Sequence, residues 1–293
     1  MWAGNGRGCD VSNEPQAGAD TVALLLQQRV LVELVLTFGG MVLLMMVESV
    51  VPRVRAVAET VPVARWLNNW ALAVFNFFLV LWLVYLLTSS ALVTQWVFAG
   101  PAVLADAPPL LAFVVVFLVV EFLVYVLHRA FHRVPWLWRL HAVHHLDTQV
   151  DVTTSHRHHS LELLLVLAVL IPVVTLLGPE PLVLLGYFVV RVTVILVSHS
   201  NLRLPRGLDR VLRWLVVTPD FHRLHHAADR RHTDSNYGTV TPWFDYLFGS
   251  ATDLPYAEHE RLVTGLEYLR DPRESRVDRL MLLPFRWHRL PRP

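Results

Sequence analysis

The sequence predicts an all-α fold: an integral membrane helical bundle carrying a cytoplasmic, histidine-rich helical cap. Three observations predict it. Hydrophobic residues make up 54% of the 293, with a mean hydropathy of +0.45, more than a soluble core needs. Charged residues are only 17% of the chain and avoid the long apolar runs. No histidine precedes position 128, yet thirteen of the fifteen lie between His128 and His232.

The first twenty residues are polar, lack the basic-then-apolar order of a signal peptide, and read as a short disordered tail. Five apolar segments follow, Val30–Val51, Trp70–Thr88, Leu110–Leu127, Leu161–Leu177 and Leu182–Val197. The first three are long enough to span a bilayer. The last two are near the lower limit, joined by Gly178–Pro181 as a hairpin that either just spans or dips in and returns. The organisation expected is a polar tail over 1–20, N-terminal membrane helices over 21–109, a catalytic domain over 110–250 and a polar C-terminal tail over 251–293.

All 25 basic residues are Arg, and their placement predicts an orientation. Arg53, Arg55 and Arg65 flank the first loop, and Arg129, Arg133, Arg139 and Arg157 follow the third segment, so both regions are expected on the cytoplasmic side. The Ser89–Pro109 loop has no Arg, carries Asp106, and is expected outside. Arg191 lies within the fifth apolar segment, where it either pairs with a carboxylate or snorkels. A net charge of +1 gives no case for nucleic acid, and the single Cys9 excludes an internal disulfide or a thiolate-bound cluster from this chain alone. Histidine must carry any metal chemistry.

His128 and His132 are spaced i, i+4, which on a helix puts both rings on one face. His141, His144 and His145, and again His222, His225 and His226, repeat H-x-x-H-H, converging three imidazoles on one helix surface. Crowded imidazoles repel one another when protonated, so the pattern makes sense when cations hold them neutral. His199 closes the fifth apolar segment, and His156, His158 and His159 form a further group of which only some can face one direction. His232 is a candidate partner for a ligand; His259 and His288 stand alone in the tail.

These motifs, with "HSN" at His199, "NYG" at Asn236–Gly238 and "WFDYLFG", resemble the fatty acid hydroxylase superfamily, which includes sterol desaturases, from about Leu110 to Gly249. "RHHSLE" is similar to the family's middle motif at Arg157, His159 and Glu162, with Ser160 where the family usually has Pro, and this match selects His159 as the inward-facing histidine. The resemblance implies ten metal ligands: His128, His132, His141, His144, His145, His159, His199, His222, His225 and His226. Ten suit two ions with about five imidazoles each.

It further implies two iron ions, with zinc possible in purified protein, and use of dioxygen to hydroxylate or desaturate an unactivated C–H bond of a fatty acyl, sterol or isoprenoid lipid. No side chain beyond the metal ligands is assigned a catalytic role. With no Gly-rich nucleotide fingerprint and no Cys set, a separate electron donor is implied: a ferredoxin, cytochrome or reductase. The alternative is a membrane metal-binding or metal-transport protein without oxygenase activity. Transport is disfavoured because the histidines sit at helix ends rather than near the midplane, and a zinc hydrolase because no H-E-x-x-H occurs. A structural metal cap stays open on the sequence alone.

Overall fold

The computed structural model describes residues 30–54, 63–89 and 101–287, and the regular elements in them are helical. Among these described residues, five helices are long and apolar enough to cross a membrane: α1 (Val30–Val50, with a π-helical turn over Val35–Gly39), α2 (Val63–Ser89), α3 (Pro109–Arg133), and after α4 (Pro135–His145), α5 (Ser160–Leu177) and α6 (Pro181–His199). Short helices complete the cap: α7 (Arg206–Leu212), α8 (Pro219–His225), α9 (Arg230–Thr233), α10 (Trp243–Leu247), α11 (Tyr256–His259) and α12 (Val277–Arg286). The polar stretch 1–20, Arg55 and His288 lie outside the described residues.

Proline sets several helix starts. Pro109, Pro135, Pro181 and Pro219 all occupy the first turn, where the missing N–H has no intrahelical acceptor to lose. The α5 to α6 hairpin turns on Gly178, whose φ of +55° is the left-handed conformation that favours glycine at a helix C-terminus. A Cβ there would also lie 2.5 Å from the Ala102 Cα, so the 101–108 loop closes against this end of the bundle.

The inner stripe of α3 links the membrane layer to the cap. Ala112, Val116, Val120 and Val124 recur every four residues, are buried, and pack with Val183 and Tyr187 of α6. Continued by the same step, the stripe reaches His128 and then His132. Large side chains on outer faces, among them Leu43, Phe75, Phe78, Trp82, Leu110 and Leu182, stay exposed, as lipid-facing residues do.

Buried ion pairs fasten the cap to the bundle. Arg65 at the start of α2 donates to Asp147 at 2.6 Å and also pairs with Asp151, while Asn69 one turn on donates to Asp147 at 3.0 Å. Arg53 pairs with Asp220 of α8. Burial by itself raises the Asp147 carboxyl, but Arg65 and Arg157, with hydrogen bonds from Thr154 and Asn69, bring it below the usual carboxylate range. Both ends of the first loop therefore sit on the same side of the bundle as the histidine cap.

Arg65→Met strands two buried carboxylates, a change that costs about 3–5 kcal/mol. Thermal unfolding of the purified variant should show a marked fall in midpoint; an unchanged midpoint would contradict this account of the cap.

The C-terminal segment departs from the polar tail expected of it. Leu280 and Leu283 of α12 are fully buried against Leu72 of α2 and Ala142, Val143 and Leu146 around α4. One face of α12 is apolar and the other carries Arg and Asp, so it docks as an amphipathic helix. His259, expected to be a plain tail residue, is also buried, donating to or accepting from no metal-site group and lying 3.2 Å from the Leu254 carbonyl and 3.9 Å from Asp220.

Candidate metal centre

Five buried imidazoles converge where α3, α4 and α8 meet. His128 and His132 come from the end of the α3 stripe, His141 and His145 from one face of α4, and His225 from the last turn of α8. Four more form a second cluster: His144 of α4, His199 at the end of α6, and His222 and His226 of α8 and its C-cap. In each cluster the candidate ligand atoms lie within 4.8 Å of one another. The H-x-x-H-H motifs thus serve both clusters, because successive histidines on a helix point about 100° apart.

The nitrogens crowd as ligands do. His128 Nε2 is 3.0 Å from His141 Nε2, His222 Nε2 is 2.9 Å from His199 Nε2 and 3.2 Å from His226 Nε2, and His199 Nε2 is 3.3 Å from His144 Nε2. Adjacent imidazole nitrogens bound at about 2.0–2.1 Å to one ion stand roughly 3 Å apart. Among the described residues, the buried His132 Nε2, His225 Nε2 and both nitrogens of His145 have no hydrogen-bond partner. Such orphans are costly unless a cation accepts their lone pairs.

Burial, joined by neighbouring imidazoles, holds His144, His145, His222 and His226 well below the ordinary histidine range. Burial brings His225 down to about 3. These rings are neutral at pH 7, the state in which imidazole binds a metal. The buried histidine clusters fit metal binding.

Outer partners fix the tautomers. His128 Nδ1 donates to the Tyr237 carbonyl at 2.6 Å, His225 Nδ1 to the Ser235 carbonyl at 2.7 Å and His199 Nδ1 to the Ile195 carbonyl at 2.8 Å. His132 Nδ1 faces Asp234 at 3.3 Å. In each case Nδ1–H points away and Nε2 is left to face inward.

The loop that supplies two of these carbonyls is itself held. Asn236, at φ +55°, spans Phe221 and Thr252 with its side chain, and the Asp245 carboxylate accepts from Tyr237 N at 2.8 Å and Gly238 N at 2.6 Å. A Cβ on Gly238 would run into the Thr241 carbonyl, which explains the glycine of "NYG". The Asp of "WFDYLFG" is the clamp on that loop.

The middle histidine group differs from its sequence reading. His159 was expected to face inward alone, yet its ring caps α5, with Nδ1 accepting from Leu161 N at 3.1 Å and Nε2 lying 3.1 Å from the Met281 carbonyl. The ring that reaches the site is His158, stacked on His144 with centroids 4.4 Å apart. Glu162 Oε1 accepts from His158 Nδ1 at 3.0 Å and from His141 Nδ1 at 2.8 Å, making a third group of His141, His158 and Glu162.

The physical cause is a change of helical phase. A 3-10 turn over Val152–His156 ends just before α5, and Ser160, standing in place of Pro, donates to Asn76 at 2.6 Å. Arg157 is fully buried and donates to the Val143 carbonyl at 2.9 Å and Asn69 at 2.7 Å, so it braces α4 against α2. His156 and His232 lie outside all three groups.

Both clusters border one cavity of about 150 Å³. Its histidines are His128 and His141 from the first cluster, His144, His199 and His222 from the second, and His158. Apolar walls come from Val124, Leu127 and Phe131 of α3, Leu163 and Val166 of α5 and Ile195 of α6. Of the two sequence readings of Arg191, the structure realises pairing: it donates to Glu121 of α3 at 2.8 Å.

The sequence profile of the fatty acid hydroxylase family matches residues 113–250, the stretch from α3 to the end of the Asp245 clamp. The chain is 33% identical over 155 residues to very-long-chain aldehyde decarbonylase GL1-6 of Oryza sativa subsp. indica, a match covering 50% of this chain and 24% of the rice protein. It is 33% identical over 138 residues to the ornithine lipid hydroxylase OlsE of Rhizobium tropici, covering 47% of this chain and 40% of that protein. With very-long-chain aldehyde decarbonylase CER1 of Arabidopsis thaliana it shares 31% over 148 residues, 47% of this chain and 23% of CER1. The chain therefore spans less than half the length of these relatives. No solved structure matches it. The profile match takes in the H-x-x-H-H motifs, the capped turn before α5 and the "NYG" loop together, so residues 113–250 match a fatty acid hydroxylase domain and, with these relatives, are consistent with the fatty acid hydroxylase superfamily.

Proposed function

We propose that the protein is a membrane enzyme that uses dioxygen and two iron ions to hydroxylate or desaturate an unactivated C–H bond of a lipid. His128, His132, His141, His145 and His225 would hold one ion, and His144, His199, His222 and His226 the other. Bound iron would supply open coordination positions together with the redox change that dioxygen chemistry needs, and zinc cannot supply the redox change. The observation that carries this reading is the apolar cavity bordered by both histidine clusters.

The chain's own contribution is positioning. Val124, Leu127, Phe131, Leu163, Val166 and Ile195 exclude water and seat an acyl or isoprenoid chain against the imidazoles. Glu162 and the Ser235 and Tyr237 carbonyls orient the rings from behind. His158 rests against His144 with its Nδ1 proton committed to Glu162, at the border of the cavity. The cap faces the cytoplasm in this reading, in line with the arginine asymmetry, and electrons arrive from a separate ferredoxin, cytochrome or reductase.

Lipid extracts from cells expressing the protein, compared with cells expressing His222→Ala, should show species that have gained one oxygen or lost two hydrogens only with the wild-type chain. Identical lipid profiles from the two, with iron, reductant and oxygen supplied, would overturn the reading.

A further inference from the structure

Arg191, Ile195 and His199 follow one another at i, i+4 and i+8 on α6, and all three border the cavity. The helical rise sets Arg191 about 12 Å from His199 along the axis, within the apolar layer. A guanidinium at that depth is expensive, and pairing it with a carboxylate is no cheaper than an apolar pair of the same size. Its retention asks for a use.

The hydrogen bonding shows what is left over. Every bond Arg191 makes leaves from Nη1: to Glu121 Oε1 at 2.8 Å, to Thr239 Oγ1 at 3.2 Å and to the Tyr187 hydroxyl oxygen at 3.4 Å. Glu121 is meanwhile served by Tyr187 OH at 2.6 Å, Thr239 Oγ1 at 3.0 Å and Val240 N at 3.2 Å, so both its oxygens have donors without Arg191. Nε and Nη2 have no acceptor among the described residues. The Arg191 side chain is 23% exposed against 1% for Glu121, and the cavity it borders is walled mostly by apolar groups and imidazoles, with Ser155, Thr239 and the Glu162 carboxylate, already bonded to His141 and His158, as its other polar lining.

We propose that Arg191 is a subsite for a neutral hydroxyl or carbonyl group that the lipid carries at a point remote from the carbon to be oxidised. The Arg191–Glu121 pair has no net charge, so a neutral oxygen acceptor fits it, whereas a carboxylate would bring a second anion close to Glu121 in a low-dielectric layer. The inference rests on the proposed function only in taking the cavity as the lipid's seat. It concerns binding and needs no turnover.

The test is displacement of a fluorescent fatty probe from the purified full chain by octadecan-1-ol and by octadecane, in the same micelles. The ratio of the two affinities is compared between variants, so that partitioning into detergent cancels. Wild type and Glu121→Gln, which keeps the guanidinium, should prefer the alcohol by about tenfold over the Arg191→Met/Glu121→Gln double variant's ratio, the scale of one hydrogen bond to a charged group. The double variant leaves no unpaired charge, so it should fold.

An equal ratio in all three proteins would overturn the subsite. So would its loss in Glu121→Gln, because the pair would then act only as a brace between α3 and α6. A surviving preference in a protein that oxidises no lipid removes the proposed function and leaves the subsite; oxidation without the preference does the reverse.

Discussion

His225→Ala and His222→Ala are each expected to lose about one bound ion and to lower lipid oxidation by more than about 100-fold, since altering even the outer partners of metal ligands costs about 10–100-fold. His225 belongs to the five-histidine cluster and His222 to the four-histidine cluster, so the two variants should lose different ions. In both, the vacated position is buried, and so are the remaining imidazoles of its cluster. Iron analysis of the purified variants beside turnover checks this. His259→Ala is the control: that ring is equally buried but sits by Asp220 and the Leu254 carbonyl, so it should change thermal stability and leave the iron count alone. Iron loss at His259 matching that at His222 would indicate general unfolding rather than lost ligands.

Glu162→Gln should weaken iron retention by about 10–100-fold while His159→Ala leaves it intact. One Glu162 oxygen accepts from both His141 and His158, so the charge holds two rings at once, one of them in the five-histidine cluster. A glutamine carbonyl keeps an acceptor but loses the charge that strengthens both bonds. His159 instead caps α5, and its loss should cost about 1 kcal/mol of stability, the usual scale for a helix cap. Iron remaining after timed exposure to a chelator separates the two. Faster loss from His159→Ala than from Glu162→Gln would restore His159 to the site.

What could be read ahead of the structure follows from helical periodicity. The spacing of His128 with His132, and both H-x-x-H-H runs, survive folding because each lies on one unbroken helix or its cap, where sequence separation converts directly into direction. The five apolar segments held for the same reason, with α2 starting at Val63 rather than Trp70. The choice among His156, His158 and His159 could not be read this way, since a 3-10 turn and a helix start intervene and reset the phase.

Long-range partnerships were equally hidden. Arg65 meets Asp147 and Asp151 across more than 80 residues, and Arg191 meets Glu121 across 70, with no local pattern to announce either. The docking of α12 had one legible trace, the apolar Leu280 and Leu283 on a helix otherwise rich in charge. The role of Asp234 behind His132, and of Asp245 behind the "NYG" loop, depends on chain reversals that no periodicity encodes.

In the proposed function two separate histidine clusters would hold two ions. Iron bound per chain, measured on the purified wild-type protein after anaerobic loading with excess ferrous iron and removal of the unbound metal, tests it most directly. The expected value is two, falling to about one in His222→Ala; saturation of the wild type at a single iron would contradict it.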